Sequence, residues 1–145
     1  MRVVVSRVKS ASVTVDGKVV GRCGYGLLIL SCFTEGDDSE KIDYLVKKCT
    51  NLRIFNDENG VMNKSILDIG GSILSISQFT LYADTSKGNR PSYIKSLGGD
   101  RASILYDEFS NRLGEIVHTE KGVFGADMKI TAEHDGPVTI IIDSK

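Results

Sequence analysis

The sequence predicts an α+β domain in which a twisted, barrel-like β-sheet carries two helices packed on its outside. Three observations favour this fold. Segments of strand length outnumber helical segments, two segments place apolar residues at helical spacing, and Gly, Pro and Asp mark the turns between them. The 145 residues contain no repeat, linker or low-complexity stretch, so they predict a single domain over residues 1–145.

The first strands are predicted from alternation and from turn chemistry. Val13 and Val15 alternate with polar residues, and Asp16-Gly17 is a dipeptide typical of tight hairpin turns. Residues 18–20 begin the returning strand, so the opening segment predicts a β-hairpin. Residues 27–33 (LLILSCF) form an apolar run of strand length.

The first helix follows this run. Asp37 and Asp38 are candidates for its N-cap, since short acidic side chains accept hydrogen bonds from the first free amides of a helix. Its apolar positions fall on one helical face: Ile42, Leu45, Val46, Cys49 and Leu52. A loop over residues 56–60 is expected next.

The second half of the chain predicts strands around one more helix. Residues 65–83 suggest two strands broken at Gly70-Gly71. A helix over residues 100–113 would end at Gly114. Its inward positions are Ala102, Leu105, Phe109 and Leu113. Residues 128–133 and 138–143 predict two final strands, with Asp135-Gly136-Pro137 between them.

Composition argues against several classes of protein. Three cysteines without a C-x-x-C pair fit buried hydrophobic residues in a reducing cytoplasm, and the two histidines belong to no metal-binding pattern. We therefore expect no metal and no cofactor. The N-terminal apolar run is too short for a signal or membrane segment, so we expect a cytoplasmic protein without membrane contact. With a net charge of −1, any contact with RNA should be small, such as one strand end.

Searches for common catalytic patterns fail: there is no G-x-S-x-G elbow, and the S-x-x-K match at Ser92–Lys95 lacks its partner motifs. Two polar segments remain. Ser77-Gln78-Phe79-Thr80-Leu81 ends the strand begun by Ile73, where a sheet commonly offers ligand groups, although satisfied loop residues are equally common there. Gly136-Pro137-Val138-Thr139 leads into the last strand, and elementary physics favours a simple turn at Gly136-Pro137.

Together these two segments give the chain a resemblance to the D-aminoacyl-tRNA deacylase family, whose hallmarks are S-Q-F-T-L and a C-terminal N-x-G-P-V-T. The resemblance covers the whole chain. Further matching blocks are MRVVVSRV at the start, Asn89-Arg90-Pro91-Ser92, and residues 122–128 (GVFGADM). Two departures stand out: His134 replaces the family's usual Asn, and residues 93–100 (YIKSLGGD) replace a stretch that typically contains Ala and Pro.

The resemblance implies a D-aminoacyl-tRNA deacylase-like fold and hydrolysis of D-aminoacyl-tRNA, with the 3′ end of aminoacyl-tRNA as partner. It also implies a homodimer in which Gly136 and Pro137, joined by a cis peptide bond, enter the active site of the other subunit as a chirality filter. The catalytic segment would be Ser77, Gln78, Phe79 and Thr80, and the substrate-binding residues would be Arg7, Phe124 and Met128.

The chemistry is open to two interpretations at this stage. Thr80 could act as a nucleophile, although a threonine hydroxyl needs an activating base. The preferred alternative is that backbone N–H groups near Phe79 and Thr80 stabilise the oxyanion, while the substrate's 2′-hydroxyl assists water. A filter that excludes L side chains would also admit glycyl-tRNA, which has no side chain to exclude. The main rival from another class is a non-catalytic module that binds an RNA end.

Overall fold

The computed structural model describes all 145 residues and has the predicted fold class. In chain order the elements are β1 (Arg2–Val15), β2 (Lys18–Cys23), β3 (Gly26–Cys32), α1 (Ser39–Asn51), β4 (Phe55–Asn56), β5 (Met62–Lys64), α2 (Ile66–Ile69), β6 (Ser72–Ser77), a 3₁₀ helix (Phe79–Tyr82), α3 (Gly99–Ile116), β7 (Thr119–Lys121) and β8 (Lys129–Asp143).

The main sheet has the order β2-β1-β3-β6-β7, and β8 pairs with the other edge of β1. The strand β1 is antiparallel to its three neighbours, whereas β3, β6 and β7 are mutually parallel. The first and last strands of this order approach each other: Arg22 N donates to Glu120 Oε1 at 3.1 Å. A Cβ on Gly21 would lie 2.8 Å from the carbonyl oxygen of Lys121, so glycine permits this approach and the sheet is nearly closed.

The hairpin predicted from Asp16-Gly17 is confirmed. Both turn residues have positive φ, 50° for Asp16 and 78° for Gly17, as a tight turn between twisted strands requires. Val15 pairs with Lys18 across the turn. The predicted strand at residues 27–33 is also confirmed, as β3.

The first helix is confirmed, with Asp38 as its N-cap: the carboxylate accepts a hydrogen bond from Lys41 N at 3.1 Å. The helix packs its apolar face on the sheet beside α3, and both helices contribute to a core of 18 buried residues. Of the predicted face, Ile42, Leu45, Val46 and Cys49 are buried, and Leu52 is half-buried at the C-cap.

The prediction of two strands over residues 65–83 is wrong for the first strand and correct for the second. The first is the short helix α2, because Ser65 and Asp68 form a reciprocal capping box that favours a helical turn over a strand. Gly70 then ends the helix in the left-handed conformation (φ 62°). The second strand is β6, and it ends at Ser77, where the chain turns into the 3₁₀ helix. With α2 the fold has three α-helices, one more than predicted.

The end of the second predicted helix is also wrong. The helix α3 continues past Gly114 to Ile116, because the buried Leu113 and Val117 anchor its last turn, and Val117 N donates to Leu113 O at 2.9 Å. Packing thus outweighs the cost of roughly 1 kcal/mol for a glycine within a helix. Tyr106 is buried on the inward face, and the predicted inward residue Leu105 is half-buried.

The two predicted C-terminal strands are one strand, β8, and Gly136-Pro137 is not a turn between them. Both halves of β8 run antiparallel to β1: His134 pairs with Val8 and Thr139 with Ser6. Only Arg7 of β1 therefore faces the four residues 135–138 of β8. The extra residues of β8 form a bulge, which lifts Gly136-Pro137 out of the hydrogen-bond ladder. The bond between them is cis.

Candidate active site

A cavity of about 550 Å³ opens where β6 ends, and the segments before α3 and after β7 form its other walls. Its lining residues are Ile76, Ser77, Gln78, Phe79, Tyr93, Ser96, Leu97, Gly98, Gly99, Phe124, Gly125, Ala126, Met128 and Ile130. Five predicted site residues are among them: Ser77, Gln78, Phe79, Phe124 and Met128. No acidic, basic or histidine side chain lines the cavity, so the protein places neither a charged group nor an imidazole there.

The cavity lies next to free backbone amides. Gln78 N makes the last bond of the sheet ladder here, to Ser31 O at 2.7 Å. The 3₁₀ helix is then closed by bonds from Leu81 N to Gln78 O at 3.2 Å and from Ala83 N to Thr80 O at 3.0 Å. The amides of Phe79 and Thr80, its first two residues, consequently have no acceptor within that helix.

The peptide between Phe79 and Thr80 is held in one orientation. The carbonyl oxygen of Phe79 accepts from Ser96 Oγ at 2.6 Å and from Cys32 Sγ at 3.2 Å. Because a trans peptide holds its C=O and N–H groups in opposite directions, these bonds also fix the direction of the Thr80 N–H. Burial raises the pKa of the Cys32 thiol above its usual value, so this thiol is a neutral donor and not a nucleophile.

Thr80 does not line the cavity and has no base beside it. Its hydroxyl accepts a hydrogen bond from Gln78 Nε2 at 2.6 Å. The two histidines are elsewhere: His118 is exposed beside Glu120, and His134 is exposed on β8. A nucleophilic threonine therefore lacks the activating partner that such chemistry requires.

Phe124 and Met128 are positioned by a buried polar node at Ser75. The carbonyl oxygen of Ser75 accepts from Tyr106 OH at 2.7 Å and from Gly122 N at 3.1 Å, and Gly122 begins the segment that carries both cavity residues. The ring of Phe124 packs against that of Tyr106 with centroids 6.0 Å apart. A Cβ on Gly122 would lie 2.6 Å from the sulfur of Met128, so a larger residue here would displace the Met128 side chain.

Tyr93 and residues 96–99 form one wall of the cavity. The sequence marked residues 93–100 as a departure from the family pattern at the pocket wall, but named none of them as a site residue. The ring of Tyr93 packs edge-on against that of Phe79 at 5.0 Å, although Phe79 remains 56% exposed. Leu97 N donates to Phe33 O at 2.8 Å, which attaches the segment to the end of β3. The departure of residues 93–100 from the family pattern was the signal in the sequence for this wall.

Gly136 and Pro137 do not reach the cavity of their own chain. Gly136 lies against Arg7, which pairs with Leu27 of β3, whereas Ser77 pairs with Ser31, four residues further along the same strand. At about 3.3 Å per residue, roughly 13 Å separates these two levels of the sheet. Both residues of the Gly-Pro pair are exposed.

Arg7, also absent from the cavity, supports the bulge from inside. Its guanidinium donates through Nε to Asp135 O at 3.2 Å and through Nη1 to Ile54 O at 2.7 Å. It also forms an ion pair with the Asp135 carboxylate. The predicted site residues thus form two groups: one at the cavity and one at the bulge.

Comparison with known proteins gives the class of this protein, a hydrolase that acts on the ester bonds of aminoacyl-tRNA. A family model described as D-Tyr-tRNA(Tyr) deacylase matches residues 4–143. The chain therefore belongs to the D-Tyr-tRNA(Tyr) deacylase family, and its reaction is the hydrolysis of D-aminoacyl-tRNA.

Solved structures agree on the fold. One described as a c-Myc DNA unwinding element binding protein is 36% identical with a TM-score of 0.94, and the match covers 100% of this chain and 99% of that chain. A structure described as a probable eukaryotic D-amino acid tRNA deacylase is 20% identical with a TM-score of 0.83, covering 97% of each chain. This second likeness confirms the predicted fold class. None of the helices has the length and apolar character needed to cross a membrane.

Proposed function

We propose that the cavity receives the 3′-terminal D-aminoacyl-adenosine of tRNA and that the protein releases the D-amino acid while sparing L-aminoacyl-tRNA. The observation that carries this proposal is an uncharged cavity that Phe79 lines, with the free amides of Phe79 and Thr80 at the start of the adjoining 3₁₀ helix. Backbone donors held in place suit the negative charge that develops on a carbonyl oxygen during ester hydrolysis.

The water that attacks the ester is activated by the substrate. Because the cavity has no carboxylate, imidazole or amine, a general base must come from outside the lining residues. The 2′-hydroxyl of the terminal adenosine lies beside the ester, where it accepts a proton from the attacking water and passes its own proton to the departing 3′-oxygen. An aminoacyl ester is already reactive, so the protein contributes mainly orientation and oxyanion stabilisation.

The remaining cavity residues orient the substrate. Phe124 offers a half-buried ring for stacking on the terminal adenine, which suits a protein whose net charge is −1. Met128 borders the space for the aminoacyl group. Ser77 and Gln78 supply polar groups at the cavity wall, and Gln78 also anchors Thr80.

The chirality filter is Gly136-Pro137 of a second copy of the chain. Three features support this arrangement: the pair is exposed, it lies about 13 Å along the sheet from its own cavity, and Arg7 holds its backbone rigidly. D and L substrates differ only in the direction of one substituent, so the group that discriminates them must be stiff. Backbone anchored by a buried guanidinium meets this need, and a homodimer gives two such composite sites.

Steric exclusion has a consequence for the smallest substrate. A filter that rejects an L side chain has nothing to reject in glycine, so glycyl-tRNA is also hydrolysed, and D side chains are accepted broadly. The compartment is the cytoplasm, where aminoacyl-tRNA is used.

The direct test compares release of D-Tyr and L-Tyr from the same tRNA without added metal. Rapid release of D-Tyr with L-Tyr spared supports the proposal. Release of neither, with the RNA still bound, favours a non-catalytic nucleic-acid-binding module, a role closer to the name of the 36% identical relative. Full resistance of glycyl-tRNA at high enzyme concentration would contradict steric exclusion.

A further inference from the structure

The outer face of α1 carries a second concave surface with a volume of about 440 Å³. We call it the basic groove. Its lining residues are Tyr44, Lys47, Lys48, Asn51, Leu52 and Arg53. It contains no acidic side chain, and the active-site cavity shares none of its residues.

The three cations of the groove have no carboxylate partner. Neither lysine takes part in an ion pair, and Lys48 Nζ lies 5.7 Å from the ring centroid of Tyr44. Arg53 donates to the backbone oxygen of Asn63 at 3.0 Å and to that residue's side-chain amide, which is neutral. These bonds orient the guanidinium, and the acidic influence on it, from Asp68, acts at longer range than an ion pair.

The stability of the helix does not account for this cluster. Lys48 in the last turn of α1 interacts favourably with the helix dipole, but Arg53 lies beyond the helix end. In a chain whose net charge is −1, three positive charges around one concavity, none of them in an ion pair, are a local concentration that suits an anionic partner.

The groove lies at the same end of the molecule as the Gly-Pro bulge. Arg53 directly precedes Ile54, whose carbonyl accepts from Arg7, and Arg7 also holds Asp135. The active-site cavity of the same chain lies toward the opposite end of α1, where Leu97 bonds to Phe33. The 13 residues of α1 extend over about 20 Å, so the groove at its C-terminal half is well separated from that cavity.

We propose that the basic groove of one protomer binds backbone phosphates of the tRNA whose 3′ end occupies the cavity of its partner. This inference rests on the proposed function: when Gly136-Pro137 enters the partner's cavity, the groove at the same end is carried toward the mouth of that cavity. Lys47, Lys48 and Arg53 then meet the RNA phosphates near the aminoacylated end, and Tyr44 offers a ring beside them.

Phosphate contacts have a measurable signature. Each cation that neutralises a phosphate releases condensed counterions, so it adds about 0.7–0.9 to the slope of log affinity against log salt concentration. Removing two such cations should weaken tRNA binding by about tenfold at moderate salt and reduce that slope by roughly 1–2. Contacts with the terminal aminoacyl-adenosine should be unaffected.

The test uses the double variant Lys47→Gln/Lys48→Gln and two substrates, D-Tyr-tRNA and the D-tyrosyl ester of adenosine. The matched control is Lys18→Gln/Lys145→Gln, which removes two unpaired charges outside the groove. We measure kcat/KM over a range of salt concentrations. Lys47→Glu is a second variant at an exposed position, and it reverses a charge without touching the core.

The expected result is a drop of about tenfold in kcat/KM on D-Tyr-tRNA, with a shallower salt dependence, for the groove variants alone. Hydrolysis of the adenosine ester stays at the wild-type rate. An unchanged salt slope on D-Tyr-tRNA overturns the groove assignment, as does an equal loss on both substrates. Failure of the proposed function is distinguishable, since the wild-type protein would then hydrolyse neither D ester.

Discussion

Arg7 is bonded to the backbone of Asp135, and this bond anchors the Gly-Pro bulge in the core of the protein. The distance from Arg7 Nε to Asp135 O is 3.2 Å, and the arginine side chain is only 7% exposed. The same guanidinium bonds to Ile54 O at 2.7 Å. A single buried group thus connects the bulge of β8 with the segment that follows α1.

The first prediction concerns this anchor. Arg7→Lys keeps the charge but loses the fork of donors, so the bulge gains freedom and the preference for D over L substrates falls. We expect a loss of about 2–3 kcal/mol in the free energy of unfolding, since a buried charge loses part of its bonding. The control is Arg2→Lys, whose partner Asp143 is exposed. Chemical denaturation and the D/L ratio measure the two effects, and an unchanged ratio in the Arg7 variant would argue against the anchoring role.

The second prediction concerns Gly136. Its φ of +124° disfavours any L side chain, and a Cβ there would lie 2.9 Å from Val138 Cγ2 and 3.0 Å from Arg7 Nη2. Gly136→Ala should therefore displace the bulge, cost about 1–3 kcal/mol of stability, and reduce the selectivity for D-Tyr-tRNA. Gly17→Ala is the matched control, because Gly17 also has positive φ but no atom within 4 Å of the added Cβ. It should lose stability while keeping full selectivity; equal effects of both variants on the D/L ratio would refute the assignment.

The third prediction separates the two chemical interpretations. Thr80→Ala removes the hydroxyl that accepts from Gln78 and leaves the backbone amides of Phe79 and Thr80 in place. We expect kcat to fall by less than about tenfold, the effect of a lost positioning contact. Single-turnover deacylation of D-Tyr-tRNA measures this. A loss of several orders of magnitude in a folded variant would show that the hydroxyl is the nucleophile.

The fourth prediction concerns stability at alkaline pH. Burial raises the pKa of Tyr106 from 10.0 to about 12, because the phenolate is poorly solvated beside Ser75 and Ser110. The unfolded chain then loses this proton first, so the contribution to stability is complete below pH 10 and is lost as pH rises toward 12. It amounts to about 2–3 kcal/mol.

In Tyr106→Phe the free energy of unfolding should fall less steeply over this pH range than in the wild type. Cys23 and Cys49, whose pKa values burial raises to about 11 and about 12, preserve part of the slope. The variant Tyr93→Phe, at an exposed ring, should match the wild-type curve. Urea denaturation at several alkaline pH values gives the comparison, and a Tyr106→Phe slope equal to that of the wild type would contradict the buried-phenol account.

Elements that depend mainly on residues close together in the sequence were predicted correctly. The Asp16-Gly17 hairpin and the capped amphipathic helix α1 followed from turn chemistry and periodicity. The strand predicted before Gly70 was wrong because a capping box competed with the apolar pattern. The continuity of β8 depends on its pairing with β1, a long-range relationship that no local pattern in residues 129–143 contains.

The candidate site was likewise predicted only in part. Motif resemblance gave the residues at the end of β6 and in the segment after β7, and all of these except Thr80 line the cavity. It did not give Tyr93, the fixed carbonyl of Phe79 or the polar node at Ser75, because these depend on tertiary contacts between segments distant in sequence. The basic groove was missed since Lys47, Lys48 and Arg53 are unremarkable as a sequence pattern.

The central claim is that each active site combines the cavity of one chain with the Gly-Pro bulge of another. Two variants test it when they are mixed: Ala126→Trp, which fills the cavity, and Gly136→Ala, which displaces the bulge. Ala126→Trp alone should hydrolyse neither substrate, and Gly136→Ala alone should hydrolyse both D-Tyr-tRNA and L-Tyr-tRNA. With Ala126→Trp in excess, most Gly136→Ala chains sit in mixed dimers, in which their intact cavity faces an intact bulge. The account predicts that mixing then lowers the hydrolysis of L-Tyr-tRNA per Gly136→Ala chain and leaves that of D-Tyr-tRNA in place. If L-Tyr-tRNA hydrolysis per Gly136→Ala chain stays unchanged while mixed dimers form, the active site is complete within one chain and the claim is contradicted.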